Sequence, residues 1–251
     1  MKRKETLLIK SAHEIAYETT EMVLQNVYIS ENAKPGQFLH IEVAGHTLRR
    51  PISIATIDKE NETVTVLFKQ LGEGTKALAT YQAGMEINAL GPSGNGFPDR
   101  DTTDTTVLLI GGGIGIPPLY CLGKKLAKEG VQVVSVLGFQ NKASVFYEEA
   151  FNELGKTFIT TNDGSYGEKG FVTDVVEKVA DFDCYYSCGP LPMLQAVTQK
   201  LKNEKGYISL EERMGCGVGA CFACVIPTDD FGGYKKICSD GPVFDANEVS
   251  L

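Results

Sequence analysis

An antiparallel β-barrel, followed by a Rossmann-like α/β domain with a mostly parallel sheet and then by a small cysteine-bearing lobe, is the multidomain fold class that the sequence predicts. Three observations predict it. The first hundred residues carry short apolar or alternating runs separated by turn residues. From about Thr105 strand-like runs alternate with helical ones, and beyond residue 205 periodicity gives way to Gly, Cys, Asp and Pro. At 251 residues the chain has room for two ordinary domains and an appendage. The predicted boundaries are 1–100, 101–205 and 206–251.

In the first region "MVLQNVYI", "GQFLHIEVA", "RRPISIATI", "ETVTVLFKQ" and "MEINAL" read as strands, with "NAKPG", "DKEN" and "GEGT" as turns. Only "TKALATYQ" reads as a helix there. In the second region "TTVLLIGGG", "VQVVSVLGF", "TFITTND" and "CYYSCGP" read as strands. Between and after them "PPLYCLGKKLAKEG", "SVFYEEAFNELG", "FVTDVVEKVA" and "LPMLQAVTQKLKNEKG" read as helices, the first with Pro in its opening turn and Gly at its end. That alternation indicates βαβ units. The tail, about 45 residues long, is too short to build a core and needs a staple.

A net charge of −8 and a pI near 5.0 exclude a sequence-independent grip on phosphate backbones, so no nucleic-acid partner is expected. The opening "MKRKETLLIKSAHEIAYETTEM" lacks the apolar run of a signal peptide, and no run of about 18 apolar residues occurs anywhere. A cytoplasmic protein with no membrane span is expected. In a reducing compartment, seven cysteines point to metal binding or redox chemistry rather than disulfides. Cys121 and Cys184 read as small buried apolar residues. His13, His40 and His46 show no mutual spacing of metal ligands, and Glu212 reads as a solvated charge.

Cys216, Cys221, Cys224 and Cys238 are spaced C-x4-C-x2-C-x13-C, and the first three match the spacing of plant-type 2Fe-2S ferredoxins. Gly215, Gly217 and Gly219 allow the backbone angles that bring amide N–H groups to the sulfurs. Zinc is the rival ligand, although its all-thiolate sites come as two short knuckles and only one stands here. The fourth cysteine follows sooner than in plant ferredoxins, which predicts a different small fold around the centre.

Such a cluster moves one electron at a time, whereas organic substrates give up two, and a flavin is the usual converter. In "LRRPISIA", Arg50 can pair with a diphosphate and Ser53 can donate to a flavin ring. Three positions apart on a regular strand they face opposite ways, so both reach one flavin only if Pro51 marks a bend or strand end. Gly72, Gly74 and Thr75 in "LFKQLGEGTKAL" open a helix, where free N–H groups favour phosphate. In "LLIGGGIGIPPL", Gly111, Gly112, Gly113 and Gly115 let dinucleotide phosphates approach the backbone. No acidic residue ends the next strand and "GFQNKASVF" has no Arg pair, which favours NADH over NADPH. Cys188 in "SCGP" stands near the sheet's carboxyl edge as either a ligand contact or a buried thiol.

Together the run Arg50-Pro51-Ile52-Ser53, the pair Gly74-Thr75, the GGGIGIPPL turn, the Cys188-Gly189-Pro190 motif and the trailing cysteines resemble the ferredoxin-reductase-like flavoprotein superfamily. Within it they are most similar to the family of electron-transfer subunits of class 1B dihydroorotate dehydrogenases, over nearly the whole chain. The resemblance implies a barrel binding FAD, an α/β domain binding NAD and a lobe holding a 2Fe-2S cluster. It also implies a partner, an FMN-containing dihydroorotate dehydrogenase catalytic subunit, which oxidises dihydroorotate to orotate in pyrimidine synthesis within a heterotetramer of two of each chain. Carried over, Arg50, Pro51, Ile52, Ser53, Leu67, Phe68, Lys69, Gly74 and Thr75 would bind FAD, and the four tail cysteines would hold the irons. Ile52 stands where many of these reductases have an aromatic residue. No residue of this chain is implied as a catalytic acid or base. The small subunit of an NADPH-ferredoxin oxidoreductase is the alternative reading, and a zinc-binding regulatory nucleotide module a further one.

Overall fold

The computed structural model describes residues 2–99, 101, 103–179, 181–228 and 232–251. Its amino-terminal part is a closed barrel of six strands in the order β1-β2-β5-β4-β3-β6, every neighbouring pair antiparallel. These strands are β1 (Arg3–Ala16), β2 (Thr19–Gln25), β3 (Phe38–Ile41), β4 (Arg50–Asp58), β5 (Thr63–Lys69) and β6 (Glu86–Ser93). Side-chain alternation sends Leu39, Ile41, Ile52, Ile54, Val66 and Phe68 into the barrel. Phe38 and His40, the alternate residues of β3, face away from it.

Two elements of the barrel differ from the sequence reading. β1 was not among the predicted strands, because only Leu7 and Ile9 of its 14 residues are buried in the core. It pairs with β6 through its first half and with β2 through its second, and so closes the barrel. "NVYI", read as the end of a strand, instead enters α1 (Val27–Asn32), because the Asn26 side chain accepts the N–H of Ile29 at 2.8 Å and caps the helix. α2 (Glu73–Ala79) follows β5.

The second sheet has seven strands in the order β10-β9-β8-β7-β11-β12-β15. They are β7 (Thr106–Gly112), β8 (Gln132–Phe139), β9 (Gly155–Thr161), β10 (Glu168–Lys169), β11 (Cys184–Cys188), β12 (Gly206–Ser209) and β15 (Val243–Asp245), with the hairpin β13 (Val225–Pro227) and β14 (Tyr234–Lys236) set apart. All neighbours run parallel except β15, which is antiparallel to β12. α3 (Ile116–Lys128), α4 (Glu148–Asn152), α5 (Val172–Val176) and α6 (Leu191–Lys200) are its helices. α4 is far shorter than predicted because Tyr147 adopts a left-handed conformation, φ 61°, and breaks the helix. The Tyr147 ring packs against Tyr120 and Phe146, while its hydroxyl donates to Glu21 on the barrel.

α3 lies between sheet and barrel, so that Ala55 and Leu67 of the barrel share one apolar cluster with Leu119 and Leu122. The Tyr17 N–H also donates to the Ala143 carbonyl across this junction at 2.9 Å. The tail finds its staple in the α/β domain. It supplies the edge strand β15, and its Leu210, Met214, Ile237 and Phe244 complete a second cluster with Leu108, Ile110 and Val136 of the sheet and Phe38 of the barrel. Among the described residues no helix is long and apolar enough to cross a membrane.

Phe244 is 3 % exposed and packs against Gly241 and the second cluster. Phe244→Ala is therefore expected to destabilise the α/β domain as well as the tail, by about 3–5 kcal/mol. Urea unfolding followed by tyrosine fluorescence of the sheet would show it; a sheet transition at its wild-type midpoint would mean the tail is only appended.

Candidate functional site

Residues 214–224 form an irregular loop whose geometry is set by glycines in the left-handed region. Gly217 has φ +68° and Gly219 φ +82°. The resulting turns point main-chain donors at sulfur. Val218 N–H and Cys221 N–H donate to Cys216 Sγ at 3.4 and 3.3 Å, Cys216 N–H to Cys221 Sγ at 3.5 Å, and Gly219 N–H to Cys238 Sγ at 3.2 Å. Burial raises the Cys216 thiol, but the N–H groups of Val218 and Cys221, with the Cys221 thiol and Ala220 N–H, outweigh it and bring the thiol down to about 6. Cys238 is pushed up to about 11 by burial and by the adjacent Cys224, against the opposing pull of Gly219 N–H and Lys2.

Main-chain N–H groups thus tie Cys216 and Cys221 to each other in both directions, and Cys224 stands close enough to Cys238 to act on its thiol. Among the described residues no three His, Cys, Asp or Glu side chains converge on one point. Two thiolates for each of two irons suit a pairwise arrangement of the four cysteines. Lysines surround the loop. Lys2 Nζ donates to the carbonyls of Gly217 and Cys238 at 3.2 and 2.6 Å, and Lys236 Nζ donates to the Gly219 carbonyl at 2.7 Å. Such charges favour an anionic centre.

The loop rests on the outer face of the barrel. In the register of β3 and β4, His40 stands opposite Pro51 and Phe38 opposite Ser53, so these four residues form one outward patch. A side chain at Gly217 would collide with His40 Nδ1. His40 is fully buried, and burial, with the charges of Arg49, Lys2 and Arg50 nearby, lowers it to about 4 against the opposing pull of the Arg49 main chain. Neither of its ring nitrogens has a hydrogen-bond partner, a state that costs about 1–3 kcal/mol for a buried polar group.

Pro51 lies within β4 and Arg50 begins it, so the strand end needed for Arg50 and Ser53 to serve one ligand is present at Arg50. The guanidinium folds over the start of α2, where a side chain at Gly74 would collide with it, and also reaches the Leu48 carbonyl and His46 Nδ1. Thr75 Oγ1 caps α2 by accepting the Gly72 N–H at 3.2 Å. Ile52 and Phe68 point into the barrel and Leu67 into the junction with α3, so these three can meet a ligand on the barrel surface only through their main chain.

A cleft of about 740 Å³ opens where the sheet order reverses, at the carboxyl ends of β7, β8, β9 and β11, and Thr19, Lys69 and Leu71 of the barrel close its other side. Gly113, in the left-handed region with open space beside it, faces this cleft. Gly112 and Gly115 line the cleft too, and at Gly111, Gly112 and Gly115 a side chain would strike Ile116, Met193 and the main chain of Cys188. Gly189 and Pro190 line the cleft, while Cys188 itself is buried beneath it and its thiol is raised by burial and by Glu211. Glu211 was missed in the sequence, where Glu212 drew notice. It stands on the cleft wall, open to water through the cleft, yet enclosed enough that desolvation raises its carboxyl.

Residues 211–250 match the iron-sulfur cluster binding domain of dihydroorotate dehydrogenase B, and residues 109–199 match the oxidoreductase NAD-binding domain. The chain is 52 % identical to the dihydroorotate dehydrogenase B (NAD(+)) electron transfer subunit of Bacillus cereus strain G9842, over 100 % of both chains. The chain belongs to the dihydroorotate dehydrogenase B electron transfer subunit family. Its counterpart from Bacillus anthracis strain A0248 is 51 % identical over the same full span. Among solved structures, an NADH-dependent reduced ferredoxin-NADP oxidoreductase superposes with a TM-score of 0.89 at 30 % identity, covering 97 % of this chain and 89 % of that one. The ferredoxin reductase of carbazole 1,9a-dioxygenase shares the fold, with a TM-score of 0.71 at 20 % identity over 81 % of this chain and 66 % of that one. The cysteine loop lies within the matched iron-sulfur span, and residues 112–196 of the cleft lining within the matched NAD-binding span.

Two glycines test the geometry. Gly74→Ala should displace Arg50 and forfeit a charge-assisted hydrogen bond of about 1.5–3 kcal/mol, so FAD affinity measured by equilibrium dialysis is expected to fall about tenfold to a hundredfold. Gly217→Ala adds a left-handed strain of about 1–2 kcal/mol to a collision with His40. Purified protein is expected to lose most of its iron and sulfide while keeping flavin absorbance.

Proposed function

We propose that the chain is the electron-transfer subunit that takes electrons from the FMN of a dihydroorotate dehydrogenase catalytic subunit and delivers them by way of a 2Fe-2S cluster and FAD to NAD+, in pyrimidine synthesis. The observation that carries this reading is the seating of the cysteine loop on the same outward patch of β3 and β4 that presents Pro51 and Ser53. On this reading flavin and cluster would share one face of the barrel, and the nucleotide would enter the cleft that Lys69 of the barrel borders. When bound, the flavin supplies two-electron hydride exchange with the nicotinamide and one-electron exchange with the cluster.

The chain's own residues bind and orient. Cys216 and Cys221 would hold one iron, Cys224 and Cys238 the other, with the main-chain N–H groups of Val218, Gly219 and Cys221 stabilising the sulfurs. Arg50, together with the α2 amino terminus at Gly74 and Thr75, would take the FAD diphosphate, and Ser53 would meet the flavin ring. Ile52, Leu67 and Phe68 would contribute main-chain contacts and Lys69 its side chain. Gly113 would admit the nicotinamide nucleotide's phosphates to the cleft, with Gly111, Gly112 and Gly115 shaping the turn beneath them. Cys188 would support the floor under the nicotinamide, and Glu211 would face that ring from the cleft wall. We place the complex in the cytoplasm, as a heterotetramer of two of each chain.

Co-expression with an FMN-containing catalytic subunit and an assay of dihydroorotate-dependent NAD+ reduction tests the reading; an inactive complex that reduces ferredoxin would favour the ferredoxin oxidoreductase alternative. Cys221→Ser is expected to lower that coupled rate by at least about a hundredfold, the scale on which losing an essential relay group acts. Direct NADH oxidation by an artificial two-electron acceptor should stay within about twofold of wild type, since Cys221 touches neither the FAD cradle nor the cleft.

A further inference from the structure

Among the described residues His40 makes no full hydrogen bond through its ring, although the Arg49 main chain lies near it, and the loop that buries it carries the tail cysteines. The ring is fully buried, both nitrogens lack partners, and its strand neighbours Pro51 and Leu90 offer no side-chain polar group. Its Nδ1 is the ring atom nearest Gly217, followed by Cε1 and then Cγ, measured from where a Gly217 Cβ would stand. Gly217 sits between Cys216 and Val218, whose N–H already donates to Cys216 Sγ. Lys2 lies on the same side, holding the Gly217 and Cys238 carbonyls. Around the imidazole, Lys2, Arg49 and Arg50 together form a positive setting that disfavours a second ring proton and draws an anion.

We propose that His40 is a positioning residue for the iron-sulfur centre, whose Nδ1–H donates to a sulfur of the bound cluster and so joins the flavin-bearing strand β3–β4 patch to the cluster. This rests on the assignment of the four tail cysteines to that cluster. Among the described residues no thiol lies within bonding range of the ring, so the acceptor would belong to the cluster itself. A donor to cluster sulfur stabilises the added electron, as hydrogen bonds to sulfur do generally. The burial of an otherwise orphaned donor beside the loop is then explained, as is the absence of any side chain at position 217.

The test uses the full chain with its cofactors. In His40→Phe, which keeps an aromatic ring and removes the donor, the equilibrium constant for one-electron reduction of the cluster is expected to fall about threefold to tenfold, tenfold being about 59 mV for one electron. The flavin potential, titrated in the same sample by its visible absorbance, is expected to stay put. His40→Asn, whose amide stands near the Nδ1 position, should recover at least half of the shift. If His40→Phe leaves the cluster potential unchanged, or moves the flavin instead, the proposal is overturned. A measurement on the unaltered sequence stands beside these: protein labelled with ¹⁵N-histidine, reduced and examined by pulsed electron paramagnetic resonance, is expected to show ¹⁵N coupling to the cluster, and its absence overturns the proposal. Wild-type protein that holds no iron and sulfide would sink the cysteine assignment as well, which separates the two failures.

Discussion

A loop of four cysteines with no core of its own can hold its shape only by borrowing one. Phe38 from the barrel, Ile110 and Val136 from the parallel sheet, and Ile237 and Phe244 from the tail pack into a single cluster, and everything about the redox arrangement follows from that sharing. Burial of aromatic and branched side chains at a three-way junction leaves little freedom for the cysteines to drift from the barrel. The same junction fixes the sheet against the barrel, with α3 filling the other side. The spatial order of flavin face, cluster loop and nucleotide cleft is thus a packing outcome before it is a chemical one.

Electrostatics then refine what packing sets. The chain carries a net charge of −8, yet the surfaces proposed above to meet ligands are locally positive: Arg50 over α2, Lys69 at the cleft, and Lys2 and Lys236 around the cysteine loop. Diphosphates and thiolate-bound iron are all anionic, and a low-dielectric setting strengthens each such contact. Main-chain N–H groups do as much as side chains here, because glycines at 217 and 219 turn the backbone so that its donors face sulfur.

Much of this was written in the sequence, and what was not has physical reasons. The alternation of strand and helix beyond Thr105, the cysteine spacing and the glycine turn are local patterns and could be read directly. β1 could not, since a strand that changes neighbours halfway along, and exposes one face in each half, shows no clean period. α1 lay hidden because a single capping side chain, Asn26, overrode the β-branched run after it. The crowding around the glycine turn could not be read either: a side chain at Gly111, Gly112 or Gly115 would strike Ile116, Met193 or Cys188, whereas Gly113 has open space beside it, and Gly112, Gly113 and Gly115 all line the cleft. His40, Lys2 and Glu211 carry no motif at all. Their placement depends on strand register and on a tail that folds back from some 170 to 240 residues away, as the Lys2 contact to Cys238 illustrates.

β15 has a consequence beyond holding the tail. It covers the outer hydrogen-bonding edge of β12 through only three residues, Val243 to Asp245, and those residues reach it from the far end of the cysteine loop. Those three residues are what keeps the backbone groups of β12 from standing open as a bare edge, the kind on which copies of a protein stack into insoluble sheets, so the tail guards the sheet as well as carrying the cysteines.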